Sequence, residues 1–397
     1  MQSIAIPVLA DRVPGVRTVG SVADSGVSIV VLVHTERVMA QSGAFLCDNA
    51  GDSASRFGLG SGDLCIPYQR PDGTWGYVFG DSFTGQDSSG VYIGSPVMLY
   101  QNAFDASGSS PVTFTGSQPV PCAQLFTYRH QADNGFGYEV SRIPNDAITL
   151  TVGGKSRIFI QYTSVNKWVP DGSTHDGSLM AGVAYSDDGG ATWRDFDTHW
   201  PGDAQGSNGS LEMSWSFAGV DPDENLYVFG KAWNGSHHYA ADGGRIQLVR
   251  YRPADFFDGT FGTREHWAYL NGGWQWVPAA QAPPSALFAP GNNIGEFSVK
   301  RIGDTYVMSY FDVTDYSVRT RTATRPDAVW TNPKTQVVGR AYWPPSHWFT
   351  SSLAHLYGGY IHPGSTDTSN LTLIISTWDG TVGHRPYTAT QWTGLSA

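Results

Sequence analysis

This sequence predicts an all-β protein assembled from several small antiparallel sheets. Three observations carry that reading: a composition rich in aromatic residues and glycine, short strands that recur in sets, and one eight-residue turn motif. The 397 residues include 14 Trp, 19 Tyr, 19 Phe and 47 Gly, and only 15% are charged, against roughly 25% in an average soluble domain. Aromatic side chains of this abundance fill the layers between sheets, and glycines make the turns that join strands. No long stretch shows apolar residues at the helical spacing of 3.6.

The strands fall into five sets. Trp75–Gly80 and Pro96–Tyr100 form the first, and Ile148–Val152, Arg157–Thr163 and Leu179–Tyr185 the second. Ser214–Val220, Leu226–Gly230 and Ile246–Tyr251 form the third, and Phe297–Ile302, Tyr306–Phe311 and Ser317–Thr322 the fourth. Tyr357–Ile361, Leu371–Trp378 and Tyr387–Gln391 form the fifth. Each set starts about 60 to 80 residues after the last, the rhythm of a propeller in which each blade is one small sheet. The turn motif, Ser186-Asp187-Asp188-Gly189-Gly190-Ala191-Thr192-Trp193, fits the Asp-box pattern of blade-edge hairpins. Asp188 can accept backbone N–H groups there, the glycines supply positive φ, and Trp193 packs beneath. The box marks architecture and not the site. A five-bladed β-propeller over residues 43–397 is therefore expected, with residues 1–42 an added outer strand or appendage packed on it. The Pro-rich stretch Trp276–Pro290 should wrap a blade edge.

Charge narrows the partners. A net charge of −11 and a pI near 5.3, with no basic patch, argue against nucleic acid and against a polyanion. A neutral glycan fits better, since aromatic faces stack on sugar rings and carboxylates bond their hydroxyls. Three cysteines, Cys47, Cys65 and Cys122, allow at most one disulfide, and no C-x-x-C pair suggests zinc. Met1–Ala10 has no basic region ahead of its apolar residues, which reads as a mature chain or one exported without a signal. Val27–Val33 is too short to span a bilayer, so no membrane insertion is expected. Neither a cofactor nor a metal is expected, a structural calcium being left open: His237 and His238 would point to opposite faces of a strand, and Asp221–Glu224 lacks the spacing of an EF-hand loop.

Candidate chemistry rests on carboxylates beside strands. Hydrolysis of a glycosidic bond uses two carboxyl groups, one giving a proton to the leaving oxygen and one activating water or attacking directly. Asp63 (Gly62-Asp63-Leu64-Cys65-Ile66-Pro67) and Asp81 (Phe79-Gly80-Asp81-Ser82-Phe83) stand in such contexts, the bland alternative being turn caps. Glu296 follows Gly295 at a strand start and is the third candidate. Glu139 and Asp146 suit a turn or a sugar hydroxyl equally well. Arg245 follows Gly243-Gly244 where a strand begins and is placed to reach the axis. His362 is a candidate, although a lone histidine is more often structural. Trp215, Trp233 and Trp378 are candidate sugar platforms.

Taken together, these motifs resemble a family of endo-D-arabinanases, long described as a domain of unknown function and found in actinobacteria, gut bacteria and mycobacteriophages. Gly62–Pro67 and Phe79–Phe83 resemble its opening pair, Asp-Leu-Gly-Ile-Pro and Gly-Asp-Thr-Phe, with the two aspartates 18 residues apart. Ile143–Ile148, Gly295–Val299 and Tyr357–Gly364 resemble later motifs in order, so the likeness spans about residues 43–397. Cys65 stands where the family has Gly, and Ser82 where it has Thr. The resemblance implies a five-bladed propeller in which Asp63 and Asp81 are the essential acids, with Glu296 a third carboxylate. It implies endo-cleavage of α-D-arabinofuranosidic linkages in mycobacterial arabinogalactan and lipoarabinomannan. The expected partner is that polysaccharide, acted on by a monomer outside the cell or on a phage particle. Two other readings stand beside it: a non-catalytic glycan-binding propeller and, ranked lower for want of an arginine cluster, a sialidase.

Overall fold

A computed structural model describes residues 53–85, 89–128, 132–133, 138–168, 177–202, 210–233, 245–288, 293–340, 353–379 and 387–397. Residues 1–42, Cys47 and the His237-His238 pair lie outside them. The described chain is all-β. Its helical content is two single turns, Ser53–Phe57 and Pro253–Phe257, and a short 3₁₀ turn at Phe261–Thr263.

Five sheets carry the fold, each beginning with an inner strand. These are β1 (Ile66–Gln69), β2 (Ser141–Val152), β3 (Ser214–Val220), β4 (Ile294–Ile302) and β5 (Leu356–Ile361). From β1 the first sheet steps outward through Trp75–Phe79, Val97–Gln101 and Gly116–Gln118. The second runs from β2 through Lys155–Val165 and Ser178–Ser186 to Arg194–Asp195. The third continues from β3 through Leu226–Lys231, Ile246–Tyr251, Glu265–Leu270 and Gly273–Pro278. The fourth and fifth follow β4 and β5 in the same manner, antiparallel except where Lys334–Arg340 pairs in parallel with Leu353–Ala354. The inner strands pack in chain order, β1 on β2, β2 on β3, β3 on β4 and β4 on β5, and β5 also touches β1.

The strand sets read from the alternation are all present, with longer inner strands. β2 starts at Ser141 and not Ile148, and β4 at Ile294 and not Phe297. β1 is absent from those sets. Pro144 explains the late start read for β2, and Pro67 the missing β1, because proline lacks an N–H for the ladder and normally argues against a strand. Here both sit in inner strands, Pro67 opposite Tyr77 and Pro144 opposite Tyr162. The Pro-rich stretch divides: Trp276–Pro278 belongs to an outer strand of the third sheet, and the turns follow.

The Asp box forms the predicted hairpin between Ser178–Ser186 and Arg194–Asp195. Thr192 donates its N–H (2.9 Å) and its hydroxyl (2.6 Å) to Asp188, Gly189 and Gly190 have φ of 71° and 95°, and the Trp193 indole donates to the Gly190 carbonyl at 3.0 Å. The core between the second and third sheets is aromatic. Trp215, 1% exposed, packs against Trp200, Phe217, Tyr251 and Phe256.

A charged pin joins three inner strands. Lys300 of β4 donates to Asp146 Oδ2 of β2 at 2.5 Å and to the Phe217 carbonyl of β3 at 3.0 Å. Asp146 also accepts from the Ser216 hydroxyl (2.7 Å), the Phe217 N–H (2.8 Å) and the Ala147 N–H (2.8 Å). Both side chains are buried. The fifth sheet is stitched to segments that flank the first: Ser61 Oγ donates to the Tyr387 carbonyl and accepts its N–H, and Gln391 accepts the Val112 N–H at 2.7 Å.

Candidate active site

β2, β4 and β5 place residues near their starts around a cavity of about 230 Å³, and the loop ahead of β1 adds Asp63 and Leu64. Asp63, Leu64, Asn145, Glu296 and Tyr357 line it together with the aromatic rings of Trp168, Trp233, Tyr360, Trp378 and Tyr387. The other ends of the inner strands frame a larger hollow of about 590 Å³, with Gln69, Arg70, Thr149, Gly219 and Arg301 among its walls and no carboxylate. Size and chemistry disagree here. The smaller cavity gathers the acids and the ring faces, and is therefore the candidate site.

Three of the inner strands leave regular pairing where they reach it. The register shifts between Pro144 and Asp146 in β2, between Ile294 and Phe297 in β4, and between Tyr357 and Tyr360 in β5. Such bulges put an extra residue in one strand and re-aim its side chain. Asn145 and Glu296 are residues delivered in this way. In β5 the bulge is Gly358-Gly359, with φ of 67° and 149°. A Cβ on Gly359 would come within 2.8 Å of Val318, so glycine is required there.

Asp63 stands on a tight loop. The Cys65 N–H donates back to the Asp63 carbonyl at 2.9 Å, and Leu64 and Cys65 have φ of 67° and 63°. This closes a γ-turn of the rare left-handed kind, a strained geometry of the sort that collects at functional sites. Cys65 occupies the position where the resembling family has glycine, and positive φ explains that glycine. The Ser376 hydroxyl holds the Leu64 carbonyl at 2.9 Å. Gly80 leaves room for the acid, since a Cβ there would sit 3.1 Å from Asp63 Oδ2.

The acids differ in their surroundings. Asp63, 8% exposed, accepts a hydrogen bond from the Tyr357 hydroxyl. Burial pushes its pKa well above the usual carboxylate range, Tyr357 pulls it down, and the charges of Asp81 and Glu296 raise it further. Glu296 is pushed up to about 7 by burial, against the pull of backbone N–H groups, one of them from Gly358, and of the Lys231 charge. Its Oε2 is buried without a hydrogen-bond partner. Asp81 is beside Asp63, the Asp63 N–H donating to the Asp81 carbonyl at 3.0 Å, but its side chain is not part of the cavity wall. Asp81 Oδ1 accepts from the hydroxyls of Ser141 (2.7 Å) and Tyr92 (3.1 Å).

Among the remaining sequence candidates, Trp378 lines the cavity and stacks on His355, and Trp233 lines it as well. Five others are not on its wall, and each has a physical reason. Asp146 is consumed by the pin. Glu139 is fully buried and accepts from Arg142 Nε at 2.7 Å and the Ser164 hydroxyl at 2.6 Å. Trp215 is core. Arg245 is exposed ahead of the strand Ile246–Tyr251. His362 is fully buried and stacks on Phe104 with ring centres 3.5 Å apart. Its Nδ1 accepts the Gly364 N–H at 3.0 Å, so the proton is on Nε2, which donates to Tyr77 at 2.9 Å. Burial pushes its pKa down to about 3, and it stays neutral. Tyr357, Tyr360, Tyr387, Trp168, Asn145 and Lys231 are the site residues that sequence reasoning did not assign to it. The family motif Tyr357–Gly364 held the signal for two of them. Among the described residues no three His, Cys, Asp or Glu side chains gather as a metal would need, and no helix is long and apolar enough to cross a membrane.

The family described as "Domain of unknown function (DUF4185)" matches residues 48–393. The chain belongs to this family. Among curated proteins it is similar to Notoamide biosynthesis cluster protein J' of Aspergillus versicolor, 29% identical over 84% of this chain and 85% of that one. It is also similar to Notoamide biosynthesis cluster protein J of Aspergillus sp. (strain MF297-2), 28% identical over 88% of each. Among solved structures, a Bacteroides ovatus ATCC 8483 protein described as a "putative hydrolase" superposes with a TM-score of 0.54 at 15% identity, covering 85% of this chain and 87% of that one. That likeness speaks to the fold alone.

Proposed function

We propose that this family member is a glycoside hydrolase, an endo-D-arabinanase that cuts internal α-D-arabinofuranosidic linkages of mycobacterial arabinogalactan and lipoarabinomannan. The five sheets are then the blades of a propeller formed by residues 43–397, to which residues 1–42 are appended. The protein works as a monomer outside the cell or on a phage particle. One observation carries the reading: a buried carboxyl on a cavity wall, its proton affinity raised by burial, beside a second acid that accepts two hydroxyls. Asp63 gives its proton to the leaving glycosidic oxygen. Asp81 acts on the anomeric centre, either directly or through water. Glu296, as it ionises, disfavours ionisation of Asp63, and its Oε2, without a hydrogen-bond partner among the described residues, meets a sugar hydroxyl. The rings of Trp168 (53% exposed), Trp233 and Trp378 supply faces for sugars.

Incubation with mycobacterial arabinogalactan should release new reducing ends. The Asp81→Asn protein should release none while keeping its circular dichroism spectrum. Near-normal cleavage by Asp81→Asn would overturn the role given to that acid. A second reading, a non-catalytic glycan binder, is favoured by the place of Asp81 outside the cavity wall. Retention on arabinogalactan without new reducing ends would establish it.

A further inference from the structure

The bulge Tyr357–Tyr360 in β5 meets both acids of the cavity wall. Its first residue puts a hydroxyl on Asp63 Oδ1, and its Gly358 N–H bonds Glu296. Among the described residues Asp63 Oδ2 accepts no side-chain hydrogen bond, the Leu64 N–H also bonds the carboxyl, and the side chain lines the cavity. A carboxylic acid carries one proton on one of two oxygens. An oxygen that already accepts an O–H along its lone pair is the poorer place for it. We propose that the Tyr357 hydroxyl is the positioning group of Asp63, pinning Oδ1 as the acceptor and so placing the transferable proton on Oδ2, toward the substrate. The catalytic consequence rests on the hydrolase reading above; the arrangement of the carboxyl does not.

The groups that face Asp63 are few. Asp81 and Glu296 push its proton affinity up, Tyr357 and the Leu64 N–H draw it down, and the phenols of Tyr360, buried, and Tyr387, partly buried, feel its charge. The Tyr357 ring is itself buried, so removing its oxygen alone is a small steric change.

The test follows the Asp63 carboxyl directly. Infrared difference titration, with Asp63→Asn used to identify the band, is run on the full chain and on Tyr357→Phe. Tyr251→Phe serves as control, removing an equally buried hydroxyl from the core around Trp215. The Tyr357→Phe protein should titrate Asp63 at a pH higher by about one unit or more, because a donor to the ionised form is gone. Its carbonyl stretch should also move up, and Tyr251→Phe should change neither. Should Tyr357→Phe not fold, 3-fluorotyrosine at 357 keeps the ring, strengthens the donor and must move the titration the other way. An Asp63 band that ignores both changes overturns the inference. On arabinan, kcat of Tyr357→Phe should fall roughly 10- to 100-fold with KM within about threefold, and the alkaline limb of the pH profile should move up with Asp63. A wild-type protein that cleaves no arabinan would sink the hydrolase reading and leave the infrared result to decide this one.

Discussion

Asp63 and Asp146 are both buried acids next to inner strands, and the chain treats them in opposite ways. Asp146 receives an ammonium, a hydroxyl and two backbone N–H groups. Asp63 receives one phenol and one backbone N–H, from Leu64, and stands near two other acids. A buried carboxylate with a full set of donors is a structural joint, and one with fewer donors has its proton affinity raised. The number of donors separates the two acids; burial does not.

Substitution should break that contrast most visibly at the cavity. Asp63→Asn should lower kcat on arabinan about 10²- to 10⁴-fold, the usual worth of a general acid, while the melting temperature holds or rises. At the pin the pattern should invert. Lys300→Met strands the Asp146 charge and should cost about 3–5 kcal/mol in urea unfolding. Combining it with Asp146→Asn, which keeps an acceptor for the backbone N–H groups, should return much of the loss. If Lys300→Met were neutral, the pin would not be a joint.

The comparison extends to pH through Glu296, whose folded pKa of about 7 lies above its ordinary value of 4.5. The native state therefore holds this proton where the unfolded chain has released it. The stability it contributes is complete below about 4.5 and is lost as pH rises through 7. Wild-type melting temperatures should drop across that window relative to Glu296→Gln, and parallel profiles would refute the assignment. The smallest effect is expected at Cys65. Cys65→Gly relieves a left-handed residue but removes a fully buried side chain, so the two terms should nearly cancel, to within about 1 kcal/mol.

Much of this was legible beforehand, and the remainder was hidden for definable reasons. Strand alternation and the Asp box specify small sheets because both depend on near neighbours. Asp63 and Glu296 were marked by adjacent glycines, and those glycines do make room for bulges and side chains. Asp146 has no adjacent glycine and was a candidate all the same, because the lysine that claims it comes 154 residues later. Glu139 was misplaced because Ser164, one of its donors, is on the neighbouring strand. Trp215 could not be told from Trp378, since a ring face says nothing about whether a sugar or Phe256 lies against it. Pro67 hid the whole of β1, and Pro144 the beginning of β2.

The three bulges have a consequence for how this site tolerates change in length. Each adds one residue to an inner strand, and beyond it every side chain points to the face it would have missed in a regular strand. Deleting Asn145 or Gly359 would keep every proposed catalytic group in the chain yet shift the alternation. The cavity-facing set would then turn into the packing between neighbouring sheets. Single-residue deletions at these positions should therefore do more harm than most substitutions, and insertions in the outer hairpins far less.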